Sequence, residues 1–198
     1  MEERQLVETP FGQPDATREK ILDAADVLIR RRGIHGVTIA ELARRSALSR
    51  PTIYRNWSDA DDVVRSALLR RVSRILEAFP DPAQTRSRLV DDVLRFTALF
   101  RTDAVYARLL DDEPEAFTRY TLQRVGSSQR LILRWLEAAI SAAQGDDSVR
   151  PGDPAHMSVM LLLVAQSAVL SHGTVAELID DDAWEHELRA AIDGLLRP

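Results

Sequence analysis

Apolar residues recur along this chain at spacings of three and four, while glycine and proline fall mostly at the edges of those stretches. That period places side chains on one stripe of a helix and cannot line one face of a strand. Residues 16–32 set the pattern, with Ile21, Ala24, Ala25, Leu28 and Ile29 on a single face. Gly33 stands where a helix stops. Strand-like alternation, internal repeats and low-complexity segments are absent from the sequence. The expected fold class is all-α.

The stops and starts divide the chain further. Thr38 and Glu41 have capping-box spacing and open a second helix carrying Ile39, Leu42 and Ala43 inward. Ser49 can cap a third, with Pro51 in its first turn. Ser58 is read as the cap of a fourth over 59–79, whose start holds Asp59, Asp61 and Asp62. Beyond "FPDPAQ" (79–84) the helices lengthen: 86–100, a short one after Thr102, and a pattern from Asp112 and Pro114 to about Ala143. An unbroken helix of that last length would span about 45 Å, so Gly126 is expected to kink or break it. Asp153–Pro154 opens another, and a final helix covers about 182–196. The expected organisation is a flexible N-terminal arm over 1–15, a first domain over 16–78 and a second over 79–198.

Charge sharpens this division. The chain carries a net −5, yet residues 16–76 hold 13 Lys/Arg against 7 Asp/Glu, a local +6, and residues 77–198 are at −8. A basic front on an acidic body points to an anionic partner for the front. Every basic residue but Lys20 is arginine. There is no cysteine, which excludes disulfides, thiolate metal sites and a cysteine nucleophile. The longest apolar run, Val159–Ala165, falls far short of the roughly 20 residues needed to cross a bilayer, and the polar N-terminus lacks a signal-peptide core. A cytoplasmic protein without membrane contact is expected.

The segment "TIAELARRSALSRPTIYRNW" (38–57) lies within the basic front. Two short helices about a three- to four-residue turn, the second basic and polar, form a helix-turn-helix. The second helix enters the major groove of duplex DNA and offers its N-terminal side chains to base edges. Ile53 is expected to face the core, leaving Arg50, Thr52, Tyr54, Arg55 and Asn56 outside, with Ser49 and Pro51 at the helix start. Arg50 suits a guanine edge or a phosphate, Thr52 a thymine methyl, and Tyr54 or Asn56 a phosphate oxygen. Thr38, at a helix N-terminus, suits a phosphate.

Residues 16–76 resemble the DNA-binding head of the TetR family of transcriptional regulators. The elements are a long helix ending in glycine, a threonine-capped "TIAELA", a small-residue turn, a short helix ending in "IYRNW", and an acidic start to the next helix. The resemblance implies an all-helical homodimer with a helix-turn-helix head and a body that binds a small effector. It further implies a repressor on a palindromic operator, needing no cofactor or metal. Three positions depart from the pattern. Ala47 stands where the turn usually has glycine, Trp57 replaces a phenylalanine, and Ala60 stands where a lysine commonly meets phosphate.

For the body, the resemblance assigns the last two long helices to dimerisation. Leu162, Ala165, Val169 and His172 are the candidate interface residues on the first of these, and Trp184, Leu188, Ile192 and Leu195 on the second. A ligand cavity is expected among helices 86–144, lined by Phe96, Phe100, Tyr106, Phe117, Tyr120, Leu131 and Trp135. Arg108, Gln129, Gln166 or His172 would supply polar contacts. The four histidines are scattered without an H-x-x-x-H pair, and no phosphate loop or nucleophile elbow is present, which argues against an enzyme. The acidic runs "DDEPE" (111–115) and "DDD" (180–182) read as helix starts rather than cation sites. A helical adaptor without specific DNA binding, or an activator of the same family, are the alternative functions.

Overall fold

A computed structural model describes residues 16–122 and 125–198, without the side chains of Tyr120 and Leu122; the expected arm over 1–15 lies outside it. The described residues form α1 (Ala16–Arg32), α2 (Ile39–Ser46), α3 (Arg50–Tyr54), α4 (Ala60–Leu76) and α5 (Arg86–Thr102). They continue as α6 (Ala104–Asp112), α7 (Pro114–Leu122), α8 (Ser127–Gln144), α9 (Pro154–Val175) and α10 (Asp181–Leu196), with no strand. The chain divides into two compact units, Met1–Ala67 and Leu68–Pro198. The division falls inside α4, upstream of the 79–84 segment. That segment belongs to the second core: Phe79 and Ala83 are buried, and Phe79 lies 5.2 Å from the Trp135 ring.

In the first unit, α1 buries the expected stripe of Ile21, Ala24, Ala25, Leu28 and Ile29, together with Leu22. Gly33 ends it at φ 72°, its N–H donating to the Ile29 carbonyl at 2.8 Å. A 3-10 turn over Ile34–Gly36 follows. A Cβ on Gly36 would lie 2.3 Å from the Arg32 Cβ, so only glycine fits this return toward α1. Two capping expectations change. Thr38 Oγ1 accepts the Glu41 N–H at 3.2 Å, but the Glu41 carboxylate does not reach back to the cap. It pairs instead with Arg44 and, at 3.5 Å, with Arg32. The Arg44 hydrogen bond, with smaller help from Arg32, holds the Glu41 carboxyl below its ordinary range. At α4 the cap is Asp59 rather than Ser58. Asp59 Oδ1 accepts the Asp62 N–H at 2.7 Å, and Asp62 Oδ2 accepts the Ser58 N–H at 3.2 Å. A carboxylate satisfies those donors and meets the positive end of the helix dipole as well.

In the second unit, each of four helices starts on a side-chain oxygen: Thr85, Asp103, Asp153 and Asp180 cap α5, α6, α9 and α10. Gly126 separates α7 from α8, so the long pattern after Pro114 is two helices. The core joins Leu89, Val93, Leu109, Phe117, Ile140 and Leu161, all at most 2% exposed. Helix α9 is a correction to the run-length argument: its 22 residues are long and apolar enough, by length and composition, to cross a membrane. Within the unit, however, it buries Met157, Ser158, Leu161, Leu162 and Val169, and its mid-helix Gln166 is hydrogen-bonded to Gln129.

Ala47, the C-cap of α2, is left-handed at φ 56°, ψ 31°. An L-residue there is strained by about 1–2 kcal/mol, while replacement by glycine loosens the unfolded chain by about 0.4–1 kcal/mol. Strain relief wins, so Ala47→Gly is expected to stabilise the protein by roughly 0.5 kcal/mol. A raised denaturant midpoint measures this; a lowered one would mean the turn relaxes around alanine at no cost.

Candidate nucleic-acid interface and internal cavity

Helix α3 has five residues, too few to persist on propensity. Three fixtures hold it. Ser49 Oγ accepts the Thr52 N–H at 3.3 Å, Pro51 sits in the first turn, and Ile53 is fully buried. With Ile53 inward, Arg50, Pro51, Tyr54 and Arg55 are exposed, Tyr54 at 56%. Neither Arg50 nor Arg55 has an acidic partner among the described residues, so both guanidinium groups are available to an anion. Thr38 is exposed at the start of α2.

Two of the expected contact residues are already engaged. The Thr52 hydroxyl lies 2.8 Å from Ser49 Oγ. The Asn56 amide donates to the Thr52 carbonyl at 3.3 Å, and its oxygen accepts from Arg18 at 3.5 Å. Asn56 therefore closes the end of α3. Arg18, which sequence reasoning left within the charge count, also lies over the Trp57 ring, 4.9 Å from its centroid. Trp57 itself is 3% exposed, and its indole N–H donates to Ser66 Oγ of α4 at 2.8 Å. The larger plug thus brings its own polar tie to the next helix. Arg45, exposed at the end of α2, is a further cation that sequence reasoning did not single out.

The second unit contains a cavity of about 90 Å³. Phe96, Phe100, Tyr106, Phe117, Trp135 and Gln166, all chosen from the sequence, line it, as does Gln129. Tyr120 lies on α7, with its side chain outside the described set. Leu131, Arg108 and His172 are not in the wall; Ile132, one position on, is. The rings form a continuous group, with Phe100 stacked on Tyr106 at 3.9 Å and Phe96 lying 5.3 Å from Trp135. Leu68 and Val72 of α4 complete the wall, and the Tyr106 hydroxyl donates to the Leu68 carbonyl at 2.7 Å.

Residues 21–67 match the model of the bacterial regulatory proteins, tetR family. An HTH-type transcriptional regulator of Mycobacterium tuberculosis is 33% identical over 180 residues, 91% of this chain and 94% of the relative. The chain belongs to the TetR family. It is a DNA-binding transcriptional regulator. Among solved structures, the TetR-family repressor QsdR of R. erythropolis superposes with a TM-score of 0.69 at 16% identity, covering 92% of this chain and 95% of that one. The regulator FadR of Bacillus subtilis, solved with stearoyl-CoA, gives 0.64 at 16% identity over 90% and 99%. At such identities the likeness is one of fold.

In this TetR-family chain the residues expected at a dimer interface divide. Leu162, Val169, Leu188 and Ile192 are buried by the chain itself, and Ala165, His172, Trp184 and Leu195 are half-buried. The large apolar groups that α9 leaves outside are Val159 (43% exposed), Met160 (51%) and Leu163 (49%), followed along the helix by exposed Ser167 and Ser171. Of the acidic runs expected at helix starts, Asp111 and Asp112 instead end α6, where Asp112 pairs with Arg108, while Asp180 caps α10 and Asp181 is hydrogen-bonded to His172 at 2.7 Å. The His172 bond and the nearby Arg101 hold the Asp181 carboxyl below its ordinary range. Among the described residues no His/Asp/Glu group is arranged to hold a metal ion.

The Trp57–Ser66 bond is open to a double-mutant cycle. Trp57→Phe and Ser66→Ala should each destabilise, with a coupling of about 1 kcal/mol. Chemical denaturation of the four proteins measures it, and strict additivity would show that the bond contributes nothing to holding α3.

Proposed function

We propose that the protein is a homodimeric repressor that binds a palindromic operator through α3 and is released when a small molecule occupies the cavity of its second unit. The observation that carries the reading is the state of α3: a capped, core-anchored helix whose Arg50 and Arg55 guanidinium groups have no acidic partner among the described residues. Arg50 suits a guanine edge, Tyr54 and Arg55 reach the backbone or neighbouring bases, and Thr38 and the Ser49 turn meet phosphates. Pro51 and Thr52 shape the start of the reading helix. The two heads would meet successive major grooves about 34 Å apart.

Dimerisation is assigned to α9 and α10, with the exposed Val159, Met160 and Leu163 stripe as the face that a second copy covers. The exposed Ser167 and Ser171 farther along α9 permit close helix approach, and two helices per subunit make a four-helix contact. That assignment also explains why a cytoplasmic protein carries a helix as apolar as α9. Ligand response would use α4, whose Leu68 and Val72 line the cavity while its first turns belong to the head. A displaced wall would thereby shift the helix that supports Trp57.

Binding to the DNA upstream of its own gene tests this. Arg50→Ala should weaken specific binding by about five- to 160-fold, or about 1–3 kcal/mol, while changing affinity for random duplex far less. No specific complex under any condition would favour the adaptor alternative. Restoring a cation at Ala60 (Ala60→Lys) should steepen the log affinity–log salt slope by about 0.9 for each phosphate it neutralises. An unchanged slope would mean that the start of α4 meets no phosphate.

A further inference from the structure

Among the described residues the cavity wall carries no charged side chain. Its polar groups are the hydroxyls of Thr97, Tyr106, Thr121 and Ser128 and the amides of Gln129 and Gln166. Most of their hydrogens are already spent. Thr97 donates to the Leu94 carbonyl at 2.8 Å, Thr121 to Phe117 at 3.0 Å, and Tyr106 to Leu68 at 2.7 Å.

Gln129 is fixed on both sides. Its oxygen accepts the Gly126 N–H at 3.0 Å, so its amide nitrogen must be the group facing the Thr121 carbonyl, at 2.8 Å, and Gln166, at 2.7 Å. That orientation turns the Gln166 oxygen toward Gln129 and leaves the Gln166 Nε2 hydrogens with no acceptor among the described residues. Ser128 Oγ is buried and has no hydrogen-bond partner among the described residues. Two unspent donors therefore border an apolar, ring-lined space, which is the inverse of what a donor-rich or cationic ligand requires. An ionised carboxylate or ammonium would lose its hydration there without a counter-charge from the described residues. The space, about 90 Å³, is smaller than the roughly 150 Å³ apolar cavity that admits benzene. A single ring with a short substituent therefore enters only as the wall yields, and larger ligands are disfavoured.

We propose that the effector is a small uncharged apolar molecule bearing one carbonyl-type acceptor, which takes the free hydrogens of Gln166 and Ser128. This rests on the reading that the cavity is the effector site, and it adds the chemical class.

An isosteric panel on the full-length protein tests it: acetophenone, ethylbenzene, benzoate and benzylamine, with binding measured by calorimetry and ligand-observed NMR. Acetophenone should bind at least tenfold tighter than either ion and about fivefold tighter than ethylbenzene. Ser128→Ala and Gln166→Leu should each narrow the ketone's advantage over the hydrocarbon, and Ile132→Trp, which fills the cavity, should abolish binding of both. Circular dichroism identifies any variant that fails to fold; Ser128→Ala, the smallest change, decides if Gln166→Leu is lost. Benzoate or benzylamine binding as well as acetophenone, acetophenone binding unmoved by Ile132→Trp, or no binding across the panel would each overturn the proposal. A gel-shift arm with the upstream DNA separates the two readings. A charged probe that binds in the cavity and releases DNA sinks the ligand class and leaves ligand-controlled release standing. Acetophenone that binds as described while the DNA stays bound supports the class and counts against release.

Discussion

Helices of five, eight or nine residues are held by what caps and buries them, because forming the first turn fixes more dihedrals than it gains hydrogen bonds. That constraint governs α2, α3, α6 and α7 and is most acute at α3. Fixing five backbones opposes order by roughly 1–2 kcal/mol each, and burying Ile53 returns only about 2 kcal/mol. The Ser49 cap, the proline in the first turn, the Asn56 closure and the Trp57 plug supply the rest. The residues free to face DNA are those left over once these four anchors are placed.

Much of this was legible in the sequence because caps and stripes are local signals. The α1 stop at Gly33, the Ser49 cap and the Asp153–Pro154 start follow from residues within about one turn of each other, the α1 stripe spans just over two turns, and a kink or break at Gly126 follows from the length of the pattern around it. The errors came where two residues competed for one role. Asp59 outranks Ser58 as a cap, and Glu41 prefers two arginines to the cap N–H, because charge strengthens a hydrogen bond beyond what spacing reveals. Asn56 illustrates the same limit: its fate depends on Arg18, 38 positions away.

The body was legible as a cavity lined by aromatic residues but not as an interface. Helical periodicity says which side chains share a face; it does not say whether that face meets the same chain or another. Helix α9 is apolar nearly all round, so Leu162 and Leu163 could not be sorted by pattern, and packing against α8 and α5 decided between them. Nor does spacing show which amide hydrogens are spent. The free edge of Gln166 emerged only from the orientation that Gly126 imposes on Gln129.

The stripe of Val159, Met160 and Leu163 has a consequence for how the molecule comes into being. A subunit leaving synthesis with those side chains uncovered has two sinks for them: a second copy, or any other apolar surface it meets first. If a second copy covers the stripe, as proposed, assembly is a race governed by mass action, and the folded subunit's stability rises with the concentration of its own kind. For a regulator made in few copies, this sets a floor: below a certain number per cell, the binding-competent form is scarce however tightly its helices would read the DNA.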